Sequence, residues 1–391
     1  MKTYEEYKAL ISAGIEAYHG ELAALSDHIA DHPEISGQEY ETSKAIVALL
    51  RRHGWQVEYP FAGLDTAFRA VCGGKARRHK AALLTEYDAL PGIGHACGHC
   101  LSGAISILAA LALAELQEEL DTEIHLVGTP TEETDGAKCL MVDQGVFDHY
   151  DMAIMVHLYN SNLPAPAFQG LASYLYRFHG KAAHASAAPW EGVNAFNAAQ
   201  LMFHAVDMLR QHSKLDAQFH GIIRQGGEAP NIVPEEVTAE FYIRAMDKYY
   251  LQELIQKVDD CARGAAIATQ TTWDKVATAA IYDNLKPNPT GAAALEEIYG
   301  ELGLPLNGDP AKIFGSSDIG NVSFACPAFH PCLQVVDPDI AIHTRAFAAA
   351  MKTDRARQAL SDGAKIIAFQ VAKIFGDAAK LQALKADFER N

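Results

Sequence analysis

Residues 86–100 read Glu-Tyr-Asp-Ala-Leu-Pro-Gly-Ile-Gly-His-Ala-Cys-Gly-His-Cys. Cys97 and His99 stand two positions apart, with Asp88 upstream. The adjacent carboxylates Glu132 and Glu133 follow a Thr-Pro-Thr, His157 closes an apolar run, and His343 sits in an Ile-His-Thr. A thiolate, imidazoles and carboxylates together are the donor set of zinc or a similar transition metal. Taken singly, each has a plainer reading: a histidine at a strand end is usually a satisfied structural residue, and a Glu pair is usually solvated. A Glu pair directly after an apolar strand and Thr-Pro is, however, out of place in a surface loop. Cys97-x-x-Cys100 is also the spacing of a redox dithiol, but the thioredoxin setting is missing and His99 lies inside the motif. A structural zinc ribbon would need a second Cys-x-x-Cys, which the wider spacing of Cys326 and Cys332 does not supply.

The elements around these donors must bring them together. A periodic helix over 41–53 stops at Gly54. Residues 66–72, 81–85, 123–128 and 152–157 read as strands, and 102–120 and 137–144 as helices between them. Continuous apolar strands alternating with helices predict a mostly parallel, two-sided sheet. Ligands of such a sheet gather beyond the C-terminal strand ends, where Cys97, the Glu pair and His157 all fall. The rhythm changes after Pro164-Ala-Pro166. A strand over 174–179, a helix over 192–212, strands at 219–224 and 237–245, a helix over 248–268 and a strand at 271–278 give the β-α-β-β-α-β order of a ferredoxin-like fold. The predicted architecture is therefore α/β: a catalytic domain made from 1–170 and 286–391, interrupted by a small inserted domain at 171–285.

Composition narrows the partners. The chain has 391 residues, 49% of them hydrophobic, and 32 basic against 49 acidic residues give a net charge of −17. That excess repels phosphates, so neither nucleic acid nor an anionic membrane is an expected partner. The N-terminal segment is charged and helical in period and does not read as a signal peptide. No stretch is expected to match the roughly 18 apolar residues of a membrane span; the most apolar run, 105–113, reads as a buried helix. Seven scattered cysteines point to free thiols and a cytoplasmic address.

The runs at 86–103, 128–133, 180–186 (GKAAHAS), 229–235 (APNIVPE), 315–323 (GSSDIGNVS) and 343–347 (HTRAF) together resemble the M20 family of metallopeptidases. The likeness is to its amidohydrolase branch, which acts on N-acyl amino acids, indole-acetyl amino acids and aminobenzoyl-glutamate, and it extends in order over nearly the whole chain. The resemblance implies a role for each site residue. Cys97 would bridge two metal ions, His99 and His157 would complete one ion, and Glu133 and His343 the other. Asp88 would orient a ligand imidazole, and Glu132 would be the general base. His184 would steady the tetrahedral oxyanion, often from the neighbouring subunit, and Asn231 and Arg244 would hold the substrate carboxylate. The inserted domain would be a lid and dimerisation domain, implying a homodimer or a larger oligomer built on dimers. Two departures from the family pattern, Cys100 at a usual Asp or Asn position and Thr134-Asp135-Gly136 in place of a more glycine-rich run, are expected near the pocket.

The expected reaction is hydrolysis of the amide of an N-acyl amino acid or a dipeptide. Two divalent ions would acidify water, Glu132 would carry its proton to the leaving amine, and a metal with His184 would stabilise the oxyanion. Zinc is the expected ion because of the thiolate, with manganese left open. Aminoacylase and dipeptidase remain alternatives at this point, as does an inactive binding protein on the same fold.

Overall fold

The computed structural model describes residues 2–309 and 315–390. The chain opens with α1 (Tyr4–Asp31), started by a reciprocal cap between Thr3 and Glu6. Then follow α2 (Tyr40–Arg52), β1 (Gln56–Glu58), β2 (Phe68–Val71), β3 (His79–Thr85), α3 (His99–Leu113), β4 (Thr122–Gly128), α4 (Ala137–Asp143), β5 (Met152–Ile154) and β6 (His157–Tyr159). The next segment contributes β7 (Gly170–His179), α5 (Ala195–Arg210), β8 (Gln218–Gln225), β9 (Glu236–Ala245), α6 (Lys248–Thr269) and β10 (Thr272–Ala277). The chain closes with α7 (Pro289–Glu301), α8 (Ile319–Ala325), β11 (Ala328–Phe329), β12 (Cys332–Gln334), α9 (Arg345–Ala350), α10 (Asp354–Phe375) and α11 (Ala378–Arg390).

These elements form two compact units. The described residues of one come from Met1–Ala167, Leu285–Phe314 and Asp318–Asn391; the other is Phe168–Asn284 with Gly315–Ser317. The first unit holds a six-stranded sheet in the order β1-β2-β4-β3-β5-β11. From β4 through β3 and β5 to β11 the pairings are parallel, and β1 and β2 add an antiparallel edge. The mostly parallel sheet read from the sequence is present. Its inner strands, β3 and β4, are apolar on both faces, as a sheet covered on both sides requires.

Helix α3 is buried along its whole length and packs against α1, α10 and β3. Its apolar stretch is longer than the sequence reading allowed. With the following turn, His99–Leu116 is long and apolar enough by composition to cross a membrane, but 89% of it is buried inside the protein. The helix also starts three residues earlier than expected, at His99, because Gly98 takes a left-handed conformation (φ 81°) that turns the chain into it.

The strand expected at 152–157 is broken. β5 ends at Ile154, and His157 opens β6, which pairs with β12 in a separate two-stranded ladder. The cause lies in the partner. Pro331, between β11 and β12, accepts from His157 N at 3.0 Å but has no N–H to return a bond to the carbonyl of Met155, which interrupts the ladder. On the opposite side of this segment the carbonyl of Val156 accepts from Ser102 Oγ at 2.6 Å.

The second unit is an antiparallel sheet in the order β10-β7-β9-β8. Helices α5 and α6 share an apolar core with it, including Tyr176, Phe178, Met202, Phe241 and Leu254. The β-α-β-β-α-β order of the ferredoxin-like reading is the order found.

Candidate metal centre

Two close approaches set the geometry where β3 meets α3. A Cβ on Gly103 would lie 2.4 Å from the carbonyl oxygen of Glu86, so only glycine lets the helix come this near the strand end. The left-handed Gly98 separates Cys97 from His99, and a side chain there would also press on Leu158 at 3.0 Å. Asp88, beyond β3, ties the neighbourhood together. Its Oδ1 accepts from His99 Nδ1 at 3.0 Å, and its Oδ2 accepts from Ser36 Oγ at 2.7 Å and from Glu133 N at 3.1 Å. With Nδ1–H committed to Asp88, the lone pair of His99 Nε2 is the one left for a cation. His157 is fixed likewise, its Nδ1–H donating to Leu158 O at 2.8 Å.

Strained backbone adjoins the Glu pair and carries His343. Thr131, just before the Glu pair, has φ 58°; its N–H donates to the buried Glu39 carboxylate at 3.1 Å and its carbonyl accepts from Gly136 N at 2.9 Å. His343 has φ 63°, and its N–H donates to Ala96 O at 2.9 Å. Left-handed non-glycine residues cost energy and concentrate at functional sites.

The side chains converge as two triads. Glu86, His99 and His157 offer donor atoms within 4.8 Å of one another, and so do Cys97, Glu133 and His343. Glu132 stands between them, grouped with His99 and Glu133 on one side and with Glu86 and Asp318 on the other. The structure thus brings Cys97, His99, Glu132, Glu133, His157 and His343 to one place, with Asp88 directly behind His99. His184, Asn231 and Arg244 lie in the inserted unit. There the exposed His184 bridges Ile232, and Ala185 N donates to Asn231 O at 2.9 Å. Arg244, on β9, donates from Nη1 to Ser316 Oγ at 2.8 Å.

The sequence reading gave no role to Glu86, Lys138 or Asp318. Lys138 is wholly buried and donates at 2.6 Å to both carboxylates. Two signals were available: Glu86 precedes Asp88 by two residues at a strand end and so shares its side, and Lys138 is a charge among the apolar residues of α4. Cys100, next to His99 in the sequence, belongs to the main apolar core, where burial, eased by a Ser26 contact, pushes its thiol up to about 12.

The electrostatics ask for a cation. Burial, followed by Glu133, Glu132 and Asp88, holds the Cys97 thiol well above its ordinary range. Burial, then Glu86, Glu133 and Asp318, raises the Glu132 carboxyl well above the usual carboxylate range. Burial opposes charge on His99, but Glu86, Asp88 and Glu133 outweigh it and hold the imidazole well above its normal value. Burial, with His330 and His99 nearby, lowers His157 to about 3, so its imidazole is neutral. Glu86 Oε2, His99 Nε2 and Glu133 Oε1 are buried without a hydrogen-bond partner, an arrangement proteins avoid unless something else satisfies the atoms. These donors fit divalent metal ions in number, type and convergence.

The peptidase dimerisation domain of the M20 family matches residues 167–269. Over 387 residues the chain is 35% identical to the Xaa-Arg dipeptidase of Mus musculus, covering 94% of this chain and 89% of that protein. The chain belongs to the M20 family of metallopeptidases. Another M20 relative, a p-aminobenzoyl-glutamate hydrolase chain of Escherichia coli (strain K12), is 27% identical over 99% of this chain and 95% of its own. The fold is likewise that of M20 structures. A dinuclear metal binding peptidase of the family from Bacillus subtilis superposes with a TM-score of 0.70 at 19% identity, over 92% of this chain and 99% of that one. An aminobenzoyl-glutamate utilization protein from Klebsiella pneumoniae gives 0.69 at 17% identity, over 90% and 96%. As an M20 metallopeptidase, the protein is a hydrolase of peptide or amide bonds.

Proposed function

We propose that the protein is a two-metal dipeptidase that prefers a cationic C-terminal residue. The observation that carries the two-metal part is the pair of donor triads, Glu86–His99–His157 and Cys97–Glu133–His343. When bound, divalent ions supply Lewis acidity, polarising the scissile carbonyl and acidifying water. Zinc suits the thiolate donor, and manganese suits the carboxylates. Cys97 would serve as a thiolate ligand beside Glu133 and His343. Asp88 keeps His99 in the tautomer that ligates. Glu132 takes the proton from water and returns it to the leaving amine. His184 steadies the developing oxyanion, and Asn231 and Arg244 hold the free α-carboxylate of the substrate.

The substrate class follows from two supports. The net charge of −17 draws a cationic dipeptide and disfavours an acidic one, and relatives at 35% and 32% identity in Mus musculus and Homo sapiens are Xaa-Arg dipeptidases. A reducing compartment such as the cytoplasm belongs to the same proposal, because a ligand thiolate must stay unoxidised. The test is a pool of dipeptides ending in Arg, Lys, Leu or Glu, mixed with N-acetyl amino acids and read by mass spectrometry. Zinc-loaded and manganese-loaded protein should release Arg and Lys first, and a chelator should stop all cleavage. Preferential cleavage of the N-acetyl amino acids would move the assignment to an aminoacylase.

A further inference from the structure

Glu86 lies outside the ligand set that the sequence implied, yet it is fully buried where β3 ends. Its Oε1 accepts from Lys138 Nζ at 2.6 Å, and the same ammonium donates to Asp318 Oδ1 at 2.6 Å, with all three side chains at 0% exposure. The backbone N–H of Lys138 donates to Asp318 Oδ2 at 3.1 Å, so the lysine is fixed at both ends. One cation between two carboxylates leaves net negative charge in the interior, which is costly unless something further compensates it.

The second oxygen of Glu86 points to what that is. Oε2 faces His99 Nε2 at 3.2 Å, yet both atoms are buried without a hydrogen-bond partner. An ordinary ion pair would aim an N–H along that line. In a tetrahedral site with bonds of about 2.1 Å, neighbouring donors stand about 3.4 Å apart, close to the separation found. His157 completes the group, its ring at 84° to that of His99 with centroids 5.5 Å apart. We infer that Glu86 is a protein ligand of the ion held by His99 and His157, and that Lys138, locked by Asp318, determines which of its oxygens faces the metal. Lys138 and Asp318 are then positioning residues.

The inference rests on the two-metal reading, and the experiment separates the two. Wild-type protein is loaded with zinc and dialysed, and its metal content is measured; two ions per chain are expected, and fewer would sink the two-metal reading itself. Glu86→Gln, checked for folding by circular dichroism, should then retain one ion, with the other bound about tenfold or more weakly. Cobalt substitution should show an altered visible spectrum for the remaining coordination. Two ions held by Glu86→Gln with unchanged affinity and spectrum would overturn the role of Glu86 while leaving the two-metal reading intact. If the variant does not fold, a crystal structure of the zinc-loaded wild type decides. Oε2 should lie about 2.2 Å from the ion on His99 and His157; a separation well beyond bonding distance would refute the assignment.

Discussion

Adjacent glutamates can do different work when their side chains leave the backbone in different directions. Here they follow Thr131, which is left-handed and pinned by Glu39. Both approach His99, while Glu133 alone joins Cys97 and His343 and Glu132 alone joins Glu86 and Asp318. Glu132→Gln should therefore keep the metal content of the wild type while kcat falls about a hundred- to ten-thousand-fold; loss of metal would mean the two glutamates have exchanged tasks. Arg244 gives a second test. Wild-type protein should cleave dipeptides far faster than their C-terminal amides, and Arg244→Ala should remove about ten- to a hundred-and-fifty-fold of that preference, the worth of a charge-assisted hydrogen bond. Equal cleavage of acid and amide by the wild type would assign Arg244 a structural role alongside Ser316. At this scale the sequence displayed the donors well, because thiol, imidazole and carboxylate identify themselves by type. Glu86 was not legible in the same way. Its place depends on Lys138, 52 residues away, and on Asp318, a further 180 from Lys138.

Elements decide how closely those side chains approach. Gly103 lets α3 lie against the carbonyl of Glu86, where an added Cβ would sit 2.4 Å from the oxygen. Gly103→Ala should cost about 1–3 kcal/mol of stability, as overpacking does, and should weaken metal retention because His99 opens the same helix and Cys97 stands just ahead of it. Thermal melts with and without zinc measure both effects; an unchanged melting temperature would show that the helix can move away freely. Strand and helix order was readable because apolar runs and their breaks are local. The break between β5 and β6 was not, since it goes with Pro331 in the gap between β11 and β12, and no periodicity within 152–157 records that. The early start of α3 was missed for a related reason: Gly98 in Cys-Gly-His reads as a loop residue until its left-handed turn is seen to open a helix.

At the scale of the whole molecule, charge and assembly make separate predictions. The net charge of −17 should make kcat/KM for an Arg-ending dipeptide fall as salt is raised toward and beyond physiological strength, where screening acts within about 8 Å. A neutral dipeptide should show a much flatter response. Assembly is tested by mixing protomers. A chain carrying His184→Ala and one carrying Glu132→Gln, each inactive alone, should regain activity in a verified mixed dimer if His184 serves the neighbouring protomer. No recovery would confine His184 to its own chain.

Within the inserted unit, the start and end of its main segment lie side by side. Leu171 and Tyr282 exchange both backbone hydrogen bonds, at 2.8 and 2.9 Å. Residues paired in this way have Cα atoms about 5.5 Å apart, a gap that two or three residues of extended chain can span. The intervening segment can therefore be treated as a replaceable cassette. A chain that runs from residue 171 through a short glycine linker to residue 282 would keep every donor of both triads while losing His184, Asn231 and Arg244. Such a chain should still take up zinc and should fail to discriminate among peptides. It would then be a bare metal scaffold, onto which a different recognition module with closely spaced ends could be grafted.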